Sequence, residues 1–272
     1  MVAPMPPCPP LDPRDPDLVQ GYGALRRFFD RVAVVTLRRA TARHAHLERA
    51  LEGLPFELVY GTDKKDLDLA ELTRRGIYDP ELARKLDRFG REMTVAQVAC
   101  ALSHLAVWRQ IAAGPHERVL VMEDDAAPYP PGVARLGEAL AELPSSWELV
   151  YLGWDRGEVV TLHHHLKRLT YMALGALRLH YLSAREAANL LPRPFSPRLR
   201  RAGFHDLAHA YGLTRRGAQR LVEHLHPVVL PADTGITRVI LRGMLEAYVV
   251  EPKAFYQTGA DSYIQPGHRV AL

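Results

Sequence analysis

Between residues 32 and 60 the chain runs strand, helix, strand, and that order leaves few folds open. Val32 to Leu37 is a dense Val/Ala run, Arg38 to Thr41 turns the chain, and Ala42 to Leu51 has helix length before Gly53. Phe56 to Tyr60 is a second apolar run, closed by Gly61-Thr62-Asp63. Two strands at this separation pair in parallel through a right-handed helical crossover. Such α/β sheets take their ligands at the strands' carboxyl ends. With 272 residues, a single large domain over residues 25–272 is the simplest expectation.

A third apolar run, Arg118 to Met122, leads into Glu123-Asp124-Asp125 and then Ala126-Ala127-Pro128. Unbroken apolar character reads as a buried strand, with the proline expected to stop its ladder. The acids therefore stand at a carboxyl end. If the alternation continues, Glu123 and Asp125 face one way and Asp124 the other. Two carboxylates so placed can share a hard cation such as Mn²⁺ or Mg²⁺. By itself the triplet also suits a solvated turn, a phosphoryl transferase or a nuclease.

Elsewhere the pattern is less decisive. Thr94 to Gln97 spells a capping box, and Val95, Val98, Leu102, Leu105, Trp108 and Ile111 follow at helical spacing to Gly114-Pro115. Leu67 to Arg91 reads as charged, interrupted helix, Gly132 to Leu143 as helix, and Leu149 to Leu152 as strand. Thr161 to Tyr181 is expected to mix strands and loops, and Pro192 to Arg201 to form a basic loop. Ala210 to Thr214, then Arg216 to Leu225, read as strand and helix, with Val228 to Leu230 and Ala247 to Val250 completing the core. In the His163-His164-His165 run neighbours diverge, so the three chelate poorly and are read as a solvated or acceptor-side loop.

The net charge of +4 and pI near 9.1 suit an anionic ligand or peripheral contact with an acidic membrane surface. No basic run alternates with aromatics, so nucleic acid is not an expected partner. Cys8 and Cys100, the two cysteines, offer no zinc spacing and fit a reducing compartment. The first sixteen residues hold seven prolines and no apolar core, so residues 1–24 are expected to be a disordered leader rather than a signal peptide. A cytoplasmic location is the expectation, at most peripheral to the inner membrane face.

In order and spacing these blocks resemble glycosyltransferase family 25, the lipopolysaccharide-type glycosyltransferases that include collagen galactosyltransferases. The likeness rests on Val34 to Leu37 with Arg43, on Phe56 to Asp63, and most specifically on Met93 to His104 leading through Trp108 to Glu123-Asp124-Asp125. Ala210 to Leu221, Pro231-Ala232-Asp233, Gln257 and Ser262-Tyr263-Ile264 extend it. The chain departs where the family usually carries glutamate, at Gln97, and glycine, at Ala99.

The resemblance implies a GT-A-like nucleotide-sugar-binding fold, a central mostly parallel sheet flanked by helices. It implies a metal-dependent, inverting hexosyltransferase that moves galactose or glucose from a UDP-sugar to a glycan, glycolipid or other hydroxyl acceptor, as in lipopolysaccharide biosynthesis. By that likeness Asp125 would hold Mn²⁺ or Mg²⁺, with Glu123 as second ligand or as partner of metal-bound water or ribose, and Asp124 would orient the donor sugar or cap the following turn. Thr36 and Leu37 would meet the nucleoside through backbone, and Arg43 would pair with a phosphate or an acid. Asp63 would accept from uridine or ribose, or form a turn. Ser103 and His104 would touch the donor, with a hydrogen-bonded core histidine as the rival reading. Neighbours on a helix diverge, so Ser103 and His104 cannot form a hydrolase pair. Asp233 is the first candidate for the base an inverting transfer needs. The rival functions are a degenerate nucleotide- or glycan-binding module, suggested by Gln97, and a metal-dependent phosphoryl transferase or nuclease.

Overall fold

The structure is a computed structural model that describes residues 12–258, residues 156 and 158 excepted. Its first half runs α1 (Pro16–Phe28), β1 (Arg31–Thr36), α2 (Thr41–Ala50), β2 (Glu57–Tyr60), α3 (Leu69–Arg74), α4 (Pro80–Leu86), α5 (Val95–Ala113), β3 (Arg118–Glu123), β4 (Ala126–Pro128), α6 (Pro130–Val133), α7 (Leu136–Ala141) and β5 (Leu149–Asp155). There follow α8 (Leu162–Ala176), α9 (Ala184–Ala188), β6 (Arg193–Ser196), β7 (Leu199–Arg201), β8 (Asp206–Thr214), α10 (Arg215–His224), α11 (Ala232–Leu241), β9 (Ala247–Val250) and β10 (Phe255–Gln257).

Eight strands form one sheet in the order β2-β1-β3-β8-β5-β9-β7-β6. β1 is parallel to both β2 and β3, with Val34 opposite Leu58 and Met122. β8 is antiparallel to β3 and to β5, β9 is parallel to β5, and β7 is antiparallel to β9 and β6. Only β8 and β7 oppose the other strands, so the sheet is mostly parallel, flanked by helices and compatible with a GT-A-like fold. Alternation along the strands divides the core in two. Val119, Val121, Tyr211 and Leu213 pack with Val98, Leu105 and Trp108 of α5 on one face. Leu120, Met122 and Val150 pack with Leu18, Tyr22 and Leu25 of α1 on the other.

Several local expectations are corrected. The stretch read as leader turns helical at Pro16, where the Asp15 carboxylate accepts from Asp17 N–H; Leu18 and Leu25 are buried. Residues 162–176 are helix, started by a Thr161–His164 capping box. The 192–201 segment is the β6–β7 hairpin; Pro194 is tolerated because β6 is the sheet's edge. Three of its four arginines are ion-paired: Arg198 with Glu138 and Glu142, Arg200 with Glu251, and Arg201 with Glu246. Pro128 does not end pairing, since β4 joins β10 in a second small sheet. Gly132 to Leu143 holds two short helices instead of one. Cys8 and Ser262-Tyr263-Ile264 lie outside the described residues. No helix among the described residues is long and apolar enough to cross a membrane.

Candidate active site

The carboxyl ends of β1, β2 and β3 open into one cleft of about 700 Å³, part of it open solvent. Thr36 and Leu37 line it from β1, Thr62 and Asp63 from the turn after β2, and Arg43 from α2. Cys100, Ser103 and His104 form the α5 wall, and Glu123, Asp124, Asp125 and Gln257 complete the floor. The sequence-derived candidates other than Asp233 thus converge.

The acids do not alternate as an extended strand would place them. The chain turns at Asp124, so all three reach the cleft. Asp124 accepts from Thr36 Oγ1 at 2.6 Å and pairs with Arg43. It therefore ties β1 and α2 to the end of β3, and Arg43 meets an acid here. Asp125 accepts from Gln257 Nε2 at 3.0 Å through Oδ2, with Arg43 Nη1 3.9 Å away. Its Oδ1 is buried and without a partner among the described residues. Burial, then the charges of Glu123 and Asp124, push the Asp125 carboxyl up to about 7 against the pull of Gln257 and Arg43.

Glu123 is held by His104, whose Nε2 lies 3.3 Å from Oε1. Burial pushes its carboxyl upward, but the hydrogen bond from His104, aided by the charge of Arg43, outweighs burial and holds it below the usual value. His104 Nδ1 is 3.0 Å from Tyr211 Oη, which accepts the Trp108 indole N–H at 2.8 Å. With Trp108 donating, the Tyr211 hydroxyl proton is directed to Nδ1, leaving Nε2–H to donate to Glu123. His104 is thus both a hydrogen-bonded core residue and part of the cleft wall.

Ser103 donates to Ala99 O at 2.7 Å and accepts from Thr62 N–H at 2.9 Å, so it fixes the turn after β2. A Cβ on Gly61 would come within 2.5 Å of Ser103 Oγ, which explains the glycine. Asp63 accepts from Lys65 N–H and pairs with Arg39, and the hydrogen bond from Arg39 holds its carboxyl below the usual range. The carbonyls of Thr36 and Leu37 accept from Gly61 and Ala40 N–H.

The model of "Glycosyltransferase family 25 (LPS biosynthesis protein)" matches residues 29–236. The chain belongs to glycosyltransferase family 25. Procollagen galactosyltransferase 2 of Mus musculus is 28% identical over 142 residues, 48% of this chain and 22% of that protein. Procollagen galactosyltransferase 1 of Danio rerio is 27% identical over 177 residues, 60% of this chain and 28% of that protein. A Rattus norvegicus relative, "Probable inactive glycosyltransferase 25 family member 3", is 31% identical over 131 residues, 46% of this chain and 23% of that protein. The matched stretch thus spans less than a third of these relatives' length.

The family 25 cleft fits a hard divalent cation through its oxygen donors, because the unpartnered Asp125 Oδ1 sits beside an acid held ionised. Cys100, His104 and Glu123 also bring one donor atom each within 4.8 Å of one another. Their chemistry fits a metal less well. Burial, then the charges of Glu123, Asp233 and Asp125, push the Cys100 thiol well above its usual range, while thiolate is the ligating form. Gln97, the family 25 departure, accepts from Thr94 N–H at 2.8 Å and does not line the cleft; its work here is helix capping.

Asp233 is not among the cleft-lining residues. It stands in the first turn of α11, where its carboxylate accepts from Thr234 N–H at 2.7 Å and from Leu207 N–H at 3.4 Å. Leu207 has φ 60°, a left-handed conformation unfavourable for leucine, and Asp233 braces it. Tyr211, Gln257 and Arg39 escaped the reading of the sequence as site residues. Gln257 lies 132 residues from its partner Asp125, and nothing local marks it.

Proposed function

We propose that this family 25 chain transfers a hexose from a UDP-sugar to a hydroxyl of a glycan, glycolipid or protein, with inversion and with Mn²⁺ or Mg²⁺ held by Glu123 and Asp125. The observation that carries this reading is the buried Asp125 Oδ1, without a partner among the described residues, on an acid that lines the cleft at three strand ends. Relatives named procollagen galactosyltransferases favour galactose over glucose as the sugar. A cytoplasmic location is part of the same reading.

When bound, the cation would act as a Lewis acid that offsets charge on the departing nucleoside diphosphate. His104 keeps Glu123 ionised for that task. Asp124, itself held by the Thr36 hydroxyl, fixes Arg43 in the cleft lining, where a guanidinium suits phosphate oxygens. Asp233 is proposed as the base that takes the acceptor's proton; its charge acts on Cys100 in the cleft wall.

The test is donor hydrolysis and transfer with Mn²⁺ or with chelator, alongside UDP binding by thermal shift. Released UDP that requires the cation, and its loss in Asp125→Asn, are expected. The name of the Rattus norvegicus relative favours a second reading, a module that binds nucleotide without turnover. Cation-dependent UDP binding with no release of UDP from any donor would select it. Absence of UDP binding would overturn both.

A further inference from the structure

Helix α8 carries its apolar stripe on the outside. Leu162, Leu166, Leu169 and Ala173 recur at intervals of four, three and four residues, a single helical face, and all four are exposed. Leu162 is 75% exposed, Leu166 56% and Leu169 53%, and Leu177 beyond the helix end is 68% exposed. The half-covered residues, His164, Arg168, Tyr171, Met172, Leu174 and Gly175, lie on the other side of the helix. Gly175 sets the docking: a Cβ there would lie 2.6 Å from Leu182 O and 2.7 Å from Ala184 N, so the helix approaches the start of α9 closely on that side. A helix of a soluble domain normally buries its leucines. Scattered exposed leucines are ordinary, whereas a continuous stripe of them marks an interaction surface.

The charge around the stripe says what covers it. From Val159 to Arg185 there is no aspartate or glutamate, although the chain carries 31, and Lys167, Arg168, Arg178 and Arg185 stand there with four histidines. Lys167, Arg178, His163 and His165 are exposed. Leucines on one face, cations beside them and no acid is the pattern of a helix lying in a lipid interface. A second copy would bring an identical basic surface against this one, which repulsion disfavours.

We infer that α8 is an interfacial helix that seats the protein on an anionic lipid surface. β5, which feeds α8, is parallel to β3 through their common neighbour β8, so the helix leaves from the sheet edge that holds the cleft. Lipid binding itself stands independently of the transferase reading. Only its consequence, that the cleft edge faces lipid-borne acceptors, rests on that reading.

The test is flotation of the full chain with vesicles of phosphatidylcholine alone or mixed with phosphatidylglycerol, with light scattering and UDP binding measured in parallel. The chain is expected to float with the mixed vesicles at least about tenfold more strongly than with phosphatidylcholine, and to be released by salt. Leu166→Gln with Leu169→Gln should weaken flotation by about tenfold or more while Tm and UDP binding stay unchanged, because both side chains are in solvent. Lys167→Glu with Arg178→Glu should do the same through charge. No flotation, equal flotation on both vesicles, or unchanged flotation of the leucine variant overturns the inference. So does a wild-type dimer that the leucine variant converts to monomer, which would make a second copy the occupant. Failure of UDP binding in a chain that still floats would count against the donor site alone.

Discussion

His104 places Nε2 3.3 Å from Glu123 Oε1, so a buried imidazole on α5 governs an acid at the end of β3. The ring is aimed by Tyr211 behind it. Tyr211→Phe removes the acceptor of the Trp108 indole and the partner of Nδ1, leaving two buried polar groups unpaired. A loss of about 1–3 kcal/mol in urea unfolding is expected, with weaker cation-dependent UDP binding because Glu123 loses its oriented donor. Unchanged stability and binding would remove this network from the account of the site.

Asp124 and Arg43 should behave as one unit. Arg43→Met leaves a nearly buried carboxylate with only Thr36, and Asp124→Asn leaves Arg43 without its nearest acid. Each single variant is expected to destabilise by about 2–4 kcal/mol, and the double variant by clearly less than the sum. Additive losses in a double-mutant cycle would show that the pair is not coupled.

Asp125 should make the cation-free protein less stable as pH rises. Its carboxyl is raised to about 7 in the fold, first by burial and then by Glu123, while an unfolded aspartate ionises near 4. The folded state therefore binds the extra proton between these values. The contribution is complete below about 4 and is lost as pH climbs through about 7, on the order of a few kcal/mol. With chelator present, the wild-type unfolding free energy should fall across that window more steeply than that of Asp125→Asn. Parallel curves would refute the assignment.

Gly61 and Ser103 should be mutually restrictive. A methyl group on Gly61 meets Ser103 Oγ at 2.5 Å and Cβ at 2.8 Å, so Gly61→Ala must push the β2 turn off α5. About 1–3 kcal/mol of destabilisation is expected from this overpacking, with reduced UDP affinity because Thr62 and Asp63 move with the turn. Adding Ser103→Gly removes the clash, and should recover part of the stability. No recovery in the double variant would point to another cause.

Much of the fold could be read directly. The Val/Ala run of β1, the crossover helix α2 and the apolar run of β3 needed no tertiary information, because a buried parallel strand is apolar along its whole length. The capping box at Thr94 located α5 to the residue. Where the local pattern misled, distant partners were the reason. Pro194 and Pro128 suggested loops, yet each sits in an edge position where a missing N–H costs no ladder bond. At the apparent leader a local Asp15 cap starts α1, and Leu18, Tyr22 and Leu25 then bury against Leu120, Met122 and Val150 from far along the chain.

By itself the sequence determined the family and the strand ends at which the candidate residues stand, since short-range patterning and residue type suffice for both. It also placed Asp125 beside Glu123. Only the tertiary structure decided which carboxylate oxygens are already taken. Asp124 is engaged by Thr36 and Arg43, Glu123 by His104, and Asp125 by Gln257 on one oxygen alone. Those partners arrive from up to 132 residues away, and desolvation at their meeting point sets each acid's ionisation. Packing likewise decided that α8 turns Leu162, Leu166 and Leu169 outward, because Gly175 lets the opposite side approach α9 closely.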